Sequence, residues 1–157
     1  MKNIIHNNSP YSLVSIVICT YNGEAYLASQ LDSIFQQTYP HIEIIAVDDC
    51  STDNTINILN QYAQQYKHMK LIQNEQNLGY IKNFEKGMSL CQGSFIATCD
   101  QDDVWVPTKI SIMIENIGTY NLAYCNSELV DAHLNSLHRK MSDIKNLGTY
   151  SNCLTFI

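Results

Sequence analysis

Three carboxylates crowd into four residues at Asp100-Gln101-Asp102-Asp103. At that spacing they repel one another, and something must offset the repulsion. A divalent cation is the simplest candidate. Mg²⁺ or Mn²⁺ takes oxygen ligands, keeps several waters, and is held by one or two carboxylates together with substrate phosphates. The alternative is a solvated acidic turn that caps a helix. A second acidic pair, Asp48-Asp49, precedes the polar run Cys50-Ser51-Thr52-Asp53. Asp49 could accept hydrogen bonds from a base N–H or from ribose hydroxyls, or it could serve only as a turn residue, with one carboxylate of the pair inward and one toward ligand. Tyr21 could stack on a flat base or pack against its neighbours. Gly79 permits an irregular turn or the close approach of a ligand. Trp105 reads as a core residue beneath the acidic loop. No Gly-x-Gly-x-x-Gly and no Walker lysine pattern occurs, so a metal is the natural holder of a diphosphate.

The surrounding pattern supplies elements that would bring these residues together. Leu13–Cys19 is a short β-branched run and reads as a buried strand. Leu27, Leu31, Ile34 and Phe35 recur at helical spacing, which predicts a helix over 24–37, ended by Tyr39-Pro40. Ile42–Val47 is a second strand. Ser51 or Thr52 would cap a helix that carries Ile56, Leu59, Ala63 and Tyr66 on one face. A third strand over 69–72 leads through the loop 74–79 to a helix over 80–91, with Ile81, Phe84 and Met88 inward. A fourth strand spans 95–99, a helix with Pro107 in its first turn spans 107–117, and a fifth strand spans 122–125. Alternating strands and helices imply an α/β fold, with a mostly parallel central sheet flanked by helices. Ligands bind such sheets at the carboxyl ends of the strands. Thr20–Glu24, Asp48-Asp49, Asn77–Gly79 and Asp100–Asp103 each follow a strand, so all four fall on one edge.

Composition narrows the classes. A chain of 157 residues with 45% hydrophobic content suits one domain with an apolar core. Nine basic against 15 acidic residues give a net charge of −6, which argues against a nucleic-acid partner. The six cysteines form no C-x-x-C pair and no zinc spacing, and read as reduced thiols; a catalytic cysteine lacks a His/Asn partner. No apolar run reaches the ~20 residues needed to span a bilayer, and the polar N-terminus has no signal-peptide character. The expected location is cytoplasmic, with attachment to the inner face of the membrane left open. Residues 1–11 read as a flexible leader and 12–157 as one domain.

The strand followed by Cys19-Thr20-Tyr21-Asn22, then Val47-Asp48-Asp49-Cys-Ser-Thr-Asp-Asn-Thr55, then Asn77-Leu78-Gly79, then Asp100-Gln-Asp-Asp-Val-Trp105-Val-Pro107-x-Lys109, resemble the family-2 glycosyltransferases over residues 12–130. These are inverting enzymes of Rossmann-like GT-A fold. The Asp-Gln-Asp-Asp-Val-Trp variant resembles members that build bacterial surface polysaccharides, rhamnosyltransferase-like ones among them. The resemblance implies a nucleoside diphosphate sugar as donor, a glycan or lipid-linked acceptor, and Mg²⁺ or Mn²⁺ as cofactor. It implies that Thr20, Tyr21 and Glu24 line the base and ribose pocket, that Asn22 is among the donor-binding residues, and that Asp49 contacts a uracil or thymine ring. Gly79, Lys82, Asp100 and Gln101 would complete the donor site. Asp102 would hold the metal on the diphosphate, with Asp100 and Asp103 beside it.

Family members usually continue well past the metal motif, into an acceptor site and a carboxylate general base. Here Glu128 and Asp131 are the nearby carboxylates, and they lie too early in the chain for that base, which is expected beyond Ile157. A donor-binding module without turnover is therefore the second reading. A nucleotidyltransferase is a third, but Thr20–Glu24 carries no Lys or Arg for a triphosphate. The short apolar tail Cys153–Ile157 leads to the expectation of self-association.

Overall fold

The computed structural model describes residues 11–145. The leader before Tyr11 and the tail Cys153–Ile157 lie outside them. Tyr11 itself is held rather than loose: its carbonyl meets His41 Nδ1 at 2.9 Å, and its ring packs edge-on against Tyr39. The chain divides into two compact units, residues 1–109 and 110–157.

In the first unit, four strands form one parallel sheet in the order β3-β2-β1-β4: β1 (Val14–Thr20), β2 (Ile42–Asp48), β3 (Met69–Gln73) and β4 (Phe95–Cys99). Every residue of β1 is buried. That is why the strand reads as an unbroken apolar run, since a central parallel strand is covered on both faces. Burying each of Ile16, Val17 and Ile18 contributes about 1.5–3 kcal/mol before entropy is counted. The register aligns Thr20 with Asp48, and Ile18 with Cys99. The residues that leave the strands therefore emerge side by side.

Three helices join these strands: α1 (Leu27–Phe35), α2 (Thr55–Gln65) and α3 (Tyr80–Ser89). Successive strand residues face opposite sides. Val17, Cys19, Ile45 and Val47 share a core with Phe84 of α3. The other face of the sheet carries Ile16, Ile18, Ile44 and Cys99, and there Gln30 of α1 donates to the Cys99 sulfur. Helix α2 lies beside α1, joined by a stack of Phe35 on Tyr66 and by a hydrogen bond from Tyr62 Oη to Asp32 at 2.6 Å.

Three expectations change here. Helix α3 buries Asn83, Phe84 and Gly87, whereas Ile81 and Met88 are exposed. The face is chosen by close approach: a Cβ on Gly87 would lie 2.5 Å from Val17 Cγ1, so only glycine lets α3 settle onto β1. Neither Ser51 nor Thr52 caps α2. The Thr55 N–H at the helix start donates to Asp53 Oδ1 at 3.0 Å, and Ser51 is spent on Asp48. Helix α1 begins three residues late, after a turn over 24–26.

In the second unit, the fifth strand expected over 122–125 does not form. Leu122, Tyr124 and Cys125 are exposed, and neither sheet of the described residues includes them. An apolar run becomes a strand only when a ladder partner is available. The strands present are β5 (Glu128–Val130) and β6 (Ser136–Lys140), an antiparallel hairpin. Helix α4 (Lys109–Ile117) starts two residues after Pro107, at the boundary between the units.

Candidate functional site

The chain builds outward from β1 to β3, then crosses back to place β4 on the other side of β1. The carboxyl ends of β1 and β4 thus flank a switch point, where open α/β sheets bind ligands. A cleft of ≈ 590 Å³ lies there. Its lining comes from every strand end: Cys19, Thr20 and Tyr21 from β1; Asp49 after β2; Asn77, Gly79, Tyr80 and Asn83 from the turn into α3; Asp100, Gln101 and Asp102 after β4.

The two carboxylates after β2 part company. Asp48 points inward, fully buried, and accepts hydrogen bonds from Thr20 Oγ1 at 3.0 Å and from Ser51 N at 3.0 Å. Asp49, only 3% exposed, faces the cleft. Its Oδ1 accepts from Asn74 Nδ2 and from Leu78 N, each at 2.8 Å, and its Oδ2 accepts from Gly79 N at 2.9 Å. A carboxylate offers about four acceptor positions. One on Oδ2 is left for a donor in the cleft. Gly79 adopts φ +83°, a conformation that favours glycine, and this lets its N–H turn back to Asp49.

Asn22 and Glu24 lie off the cleft lining. Asn22 Oδ1 accepts from Thr52 N at 2.8 Å, and Glu24 Oε2 accepts from Asn54 N at 2.8 Å. In return Asn22 N donates to Ser51 Oγ and Gly23 N to Thr55 Oγ1. These bonds stitch the β1–α1 loop to the β2–α2 loop. The structure thus uses Asn22 and Glu24 to hold loops. Gln101 borders the cleft, yet both ends of its amide are engaged: Oε1 accepts from Tyr21 N at 2.8 Å and Nε2 donates to Tyr21 O at 3.2 Å. It straps the loop of Tyr21 to the acidic loop. Tyr21 keeps its ring half-exposed at the cleft wall.

Asp100 and Asp102 also line the cleft. Burial, then the charges of Asp103 and Asp102, push the Asp100 carboxyl above the ordinary range. The Tyr80 hydroxyl lies 3.5 Å from Asp100 Oδ1. Burial, then the Asp100 charge, raises that phenol in turn. Burial also pushes the Cys19 thiol up to about 12, helped by Asp100 and Asp49. Asp103 is outside the cleft lining but close enough to Asp100 for its charge to act on that carboxyl. Among the described residues no three His, Cys, Asp or Glu side chains converge as a metal cage. The negative charge that burdens Asp100 still fits a hard cation, of the kind held by one or two carboxylates and completed by phosphate and water. Trp105 is buried, with Lys109 Nζ 4.0 Å above its ring.

Lys82 is exposed on α3 and outside the lining. Lys86, one turn later, also lies outside the lining; its Nζ donates to Asn74 Oδ1 at 2.7 Å, and Asn74 in turn donates to Asp49. Asn74, Tyr80, Asn83 and Lys86 were missed in the sequence. Their signal was available: Tyr80 and Asn83 are the first-turn residues of a helix entering from the cleft, and Asn83, Lys86 and Gly87 lie on one face of it.

Comparison with known proteins follows this geometry. Residues 15–154 match the model of glycosyl transferase family 2. An uncharacterised glycosyltransferase of Haemophilus influenzae is 39% identical over 108 residues, which cover 69% of this chain and 32% of that protein. The Bacillus subtilis glycosyltransferase TuaG, named provisionally for teichuronic acid biosynthesis, is 36% identical over 66% of this chain and 41% of its own. The crystal structure of Staphylococcus aureus TarS residues 1–349 with UDP superposes with a TM-score of 0.62 at 31% identity, over 66% of this chain and 31% of that one. The mannosyltransferase PcManGT of Pyrobaculum calidifontis, solved with GDP-Man and Mn²⁺, shares the fold at a TM-score of 0.65 and 20% identity, over 75% of this chain and 35% of that one. The chain therefore spans well under half the length of these relatives.

Proposed function

Because the chain belongs to glycosyl transferase family 2, we propose that its cleft binds the nucleoside diphosphate part of a sugar donor, UDP- or dTDP-linked, for inverting transfer to a glycan or lipid-linked acceptor in cell-surface polysaccharide synthesis. The observation that carries this reading is the division of the cleft. Tyr21 and Asp49 present a flat ring and a hydrogen-bond acceptor, while Asp100 and Asp102 present paired carboxylates from the far side of β1. TarS has been solved with UDP and with UDP-GlcNAc, which supports a uridine diphosphate as the first donor to try.

In this scheme Tyr21 stacks on the base and Asp49 accepts the ring N–H. Thr20 lines the floor while its hydroxyl holds Asp48. Asp102, with Asp100, would hold Mg²⁺ or Mn²⁺. Bound there, the cation supplies positive charge to a diphosphate leaving group, a contribution of several kcal/mol in such sites. Gln101 keeps the two halves of the cleft in register through the Tyr21 backbone.

An inverting transfer also needs a base for the acceptor hydroxyl. Asp131 is committed to the turn between β5 and β6, where it accepts from Asn135 and His133, and Glu128 accepts from Ser136.

The test is calorimetric titration with UDP and dTDP, in Mn²⁺ and in EDTA, on the native chain and on Asp102→Ala. The expected result is binding that strengthens with metal and loses that gain in the variant. Equal affinity with and without metal would refute the cation, and no binding of either nucleotide would refute the donor site.

A further inference from the structure

Behind Asp49 lies a chain of side-chain amides that ends on a lysine. Asn74 is 4% exposed and Asn83 is 2% exposed. Asn74 Nδ2 donates to Asp49 Oδ1 at 2.8 Å and to Asn83 Oδ1 at 2.9 Å. Asn83 Nδ2 donates to the Val47 carbonyl at 3.0 Å. Asn74 Oδ1 accepts from Lys86 Nζ at 2.7 Å.

Each amide could be built in two orientations, and the partners choose one. The Val47 carbonyl can only accept, so Asn83 must turn its NH₂ there and its oxygen toward Asn74. The Lys86 ammonium can only donate, so Asn74 must turn its oxygen to it. Both choices aim the Asn74 NH₂ at Asp49. The opposite orientation would set an amide oxygen against a carboxylate oxygen and against Asn83 Oδ1. The ammonium thus acts on Asp49 at one remove, through a bond that is charge-assisted at the lysine end and at the carboxylate end. With Leu78 N and Gly79 N on the other positions, the carboxylate has one orientation, and its remaining acceptor position is held toward the cleft.

We infer that Lys86 and Asn74 are positioning residues that fix the Asp49 carboxylate for recognition of a ring N–H on the donor's base. The inference rests on the donor-binding reading above. A carboxylate acceptor distinguishes bases that present a ring N–H, such as uracil, from those that present a ring nitrogen lone pair, such as cytosine. The discrimination is only as sharp as the carboxylate is fixed. A simple packing role for Lys86 would predict a loss of stability with no change in which base is preferred.

The experiment uses the full 157-residue chain with Lys86→Met, which keeps the stem and removes the charge, and Lys86→Arg, which restores a donor. Affinities for UDP, CDP and pyrophosphate are measured in Mn²⁺ by calorimetry, and exchange of the Leu78 and Gly79 amides is followed by NMR. In Lys86→Met, UDP is expected to weaken about tenfold while CDP and pyrophosphate stay within about twofold, the scale of one charge-assisted bond. The Leu78 and Gly79 amides exchange faster, and Lys86→Arg recovers most of both effects. An unchanged UDP-to-CDP ratio in Lys86→Met, or unchanged exchange at Leu78 and Gly79, overturns the inference. A wild-type chain that binds UDP and CDP equally overturns the base-reading role and leaves the donor site standing, whereas no binding of UDP refutes the donor reading itself; in either case the amide exchange still decides whether Lys86 holds Asp49.

Discussion

Gly23→Ala tests how the two sides of the cleft are joined. A Cβ at Gly23 would lie 2.4 Å from Gln101 Oε1, 2.6 Å from its Cδ and 3.2 Å from its Nε2. The whole amide must leave, and with it go the bonds to Tyr21 N and Tyr21 O. Each such bond contributes about 0.5–1.5 kcal/mol net, and the freed Tyr21 backbone groups are near enough to solvent to be hydrated. Alanine returns about 0.4–1 kcal/mol by restricting the unfolded chain, since Gly23 has no positive φ that forbids it. The net loss of stability is therefore expected near 1 kcal/mol, a shift of about 2–4 °C in Tm for a chain of this size. Binding suffers more, because Tyr21 and the acidic loop no longer move as one; UDP affinity in Mn²⁺ is expected to fall about tenfold. Gln101→Ala removes the same two bonds without alanine's gain at position 23, so it should cost about 0.4–1 kcal/mol more. The decisive measurement is the double variant, by urea denaturation and by titration. With the amide already gone, the methyl's three closest contacts are gone, so the double should cost no more than Gln101→Ala alone, an interaction of at least about 1 kcal/mol. Additive losses would refute the strap, because they would mean that Gly23 and Gln101 act separately.

Gly87→Ala drives a methyl to 2.5 Å from Val17 Cγ1 and 3.3 Å from Val47 Cγ2, so urea denaturation should show a loss of about 1–3 kcal/mol, from overpacking of α3 on the sheet. Cys19 lines the cleft but has its thiol pushed to about 12 by burial. With iodoacetamide at pH 8, peptide mapping should find exposed Cys125 alkylated well before Cys19. Asp131 is held below the ordinary Asp range by the Asn135 side chain, then by the Asn135 and His133 N–H groups. Its lowered value means that the carboxylate supports the hairpin above the unfolded value of about 3.9 and loses that support as pH falls through the folded one. In Asp131→Ala, protection of the His133 and Asn135 amides should be reduced at pH 7, and the gap from wild type should narrow as pH falls below the unfolded value of about 3.9. A gap that does not narrow with acid would assign the effect to something other than the carboxylate's charge.

Much of the architecture was legible in the chain itself. The all-buried β1 appears as an unbroken β-branched run, and the alternation of strands with helices implies a parallel sheet. In such a sheet every strand delivers its following residues to the same edge, so Thr20, Asp49, Gly79 and Asp100 could be placed together before any contact was known. What the tertiary structure decided is which of those side chains remain free to meet a ligand. Asp48 and Asp49 are neighbours of one type, and only the bonds from Thr20 and Ser51 turn the first inward. Gln101 is engaged by a backbone 80 residues away, and Asn22 by one 30 away. Lys86 acts through Asn74, not through anything beside it in sequence. The inward face of α3 was misread for the same reason: the contact at Gly87 is with Val17 on a distant strand, and helical periodicity weighs only the apolarity of the helix's own residues. Periodicity and strand ends are local properties, written within a few residues, whereas the allotment of hydrogen-bonding capacity among loops depends on neighbours that exist only once the sheet has formed.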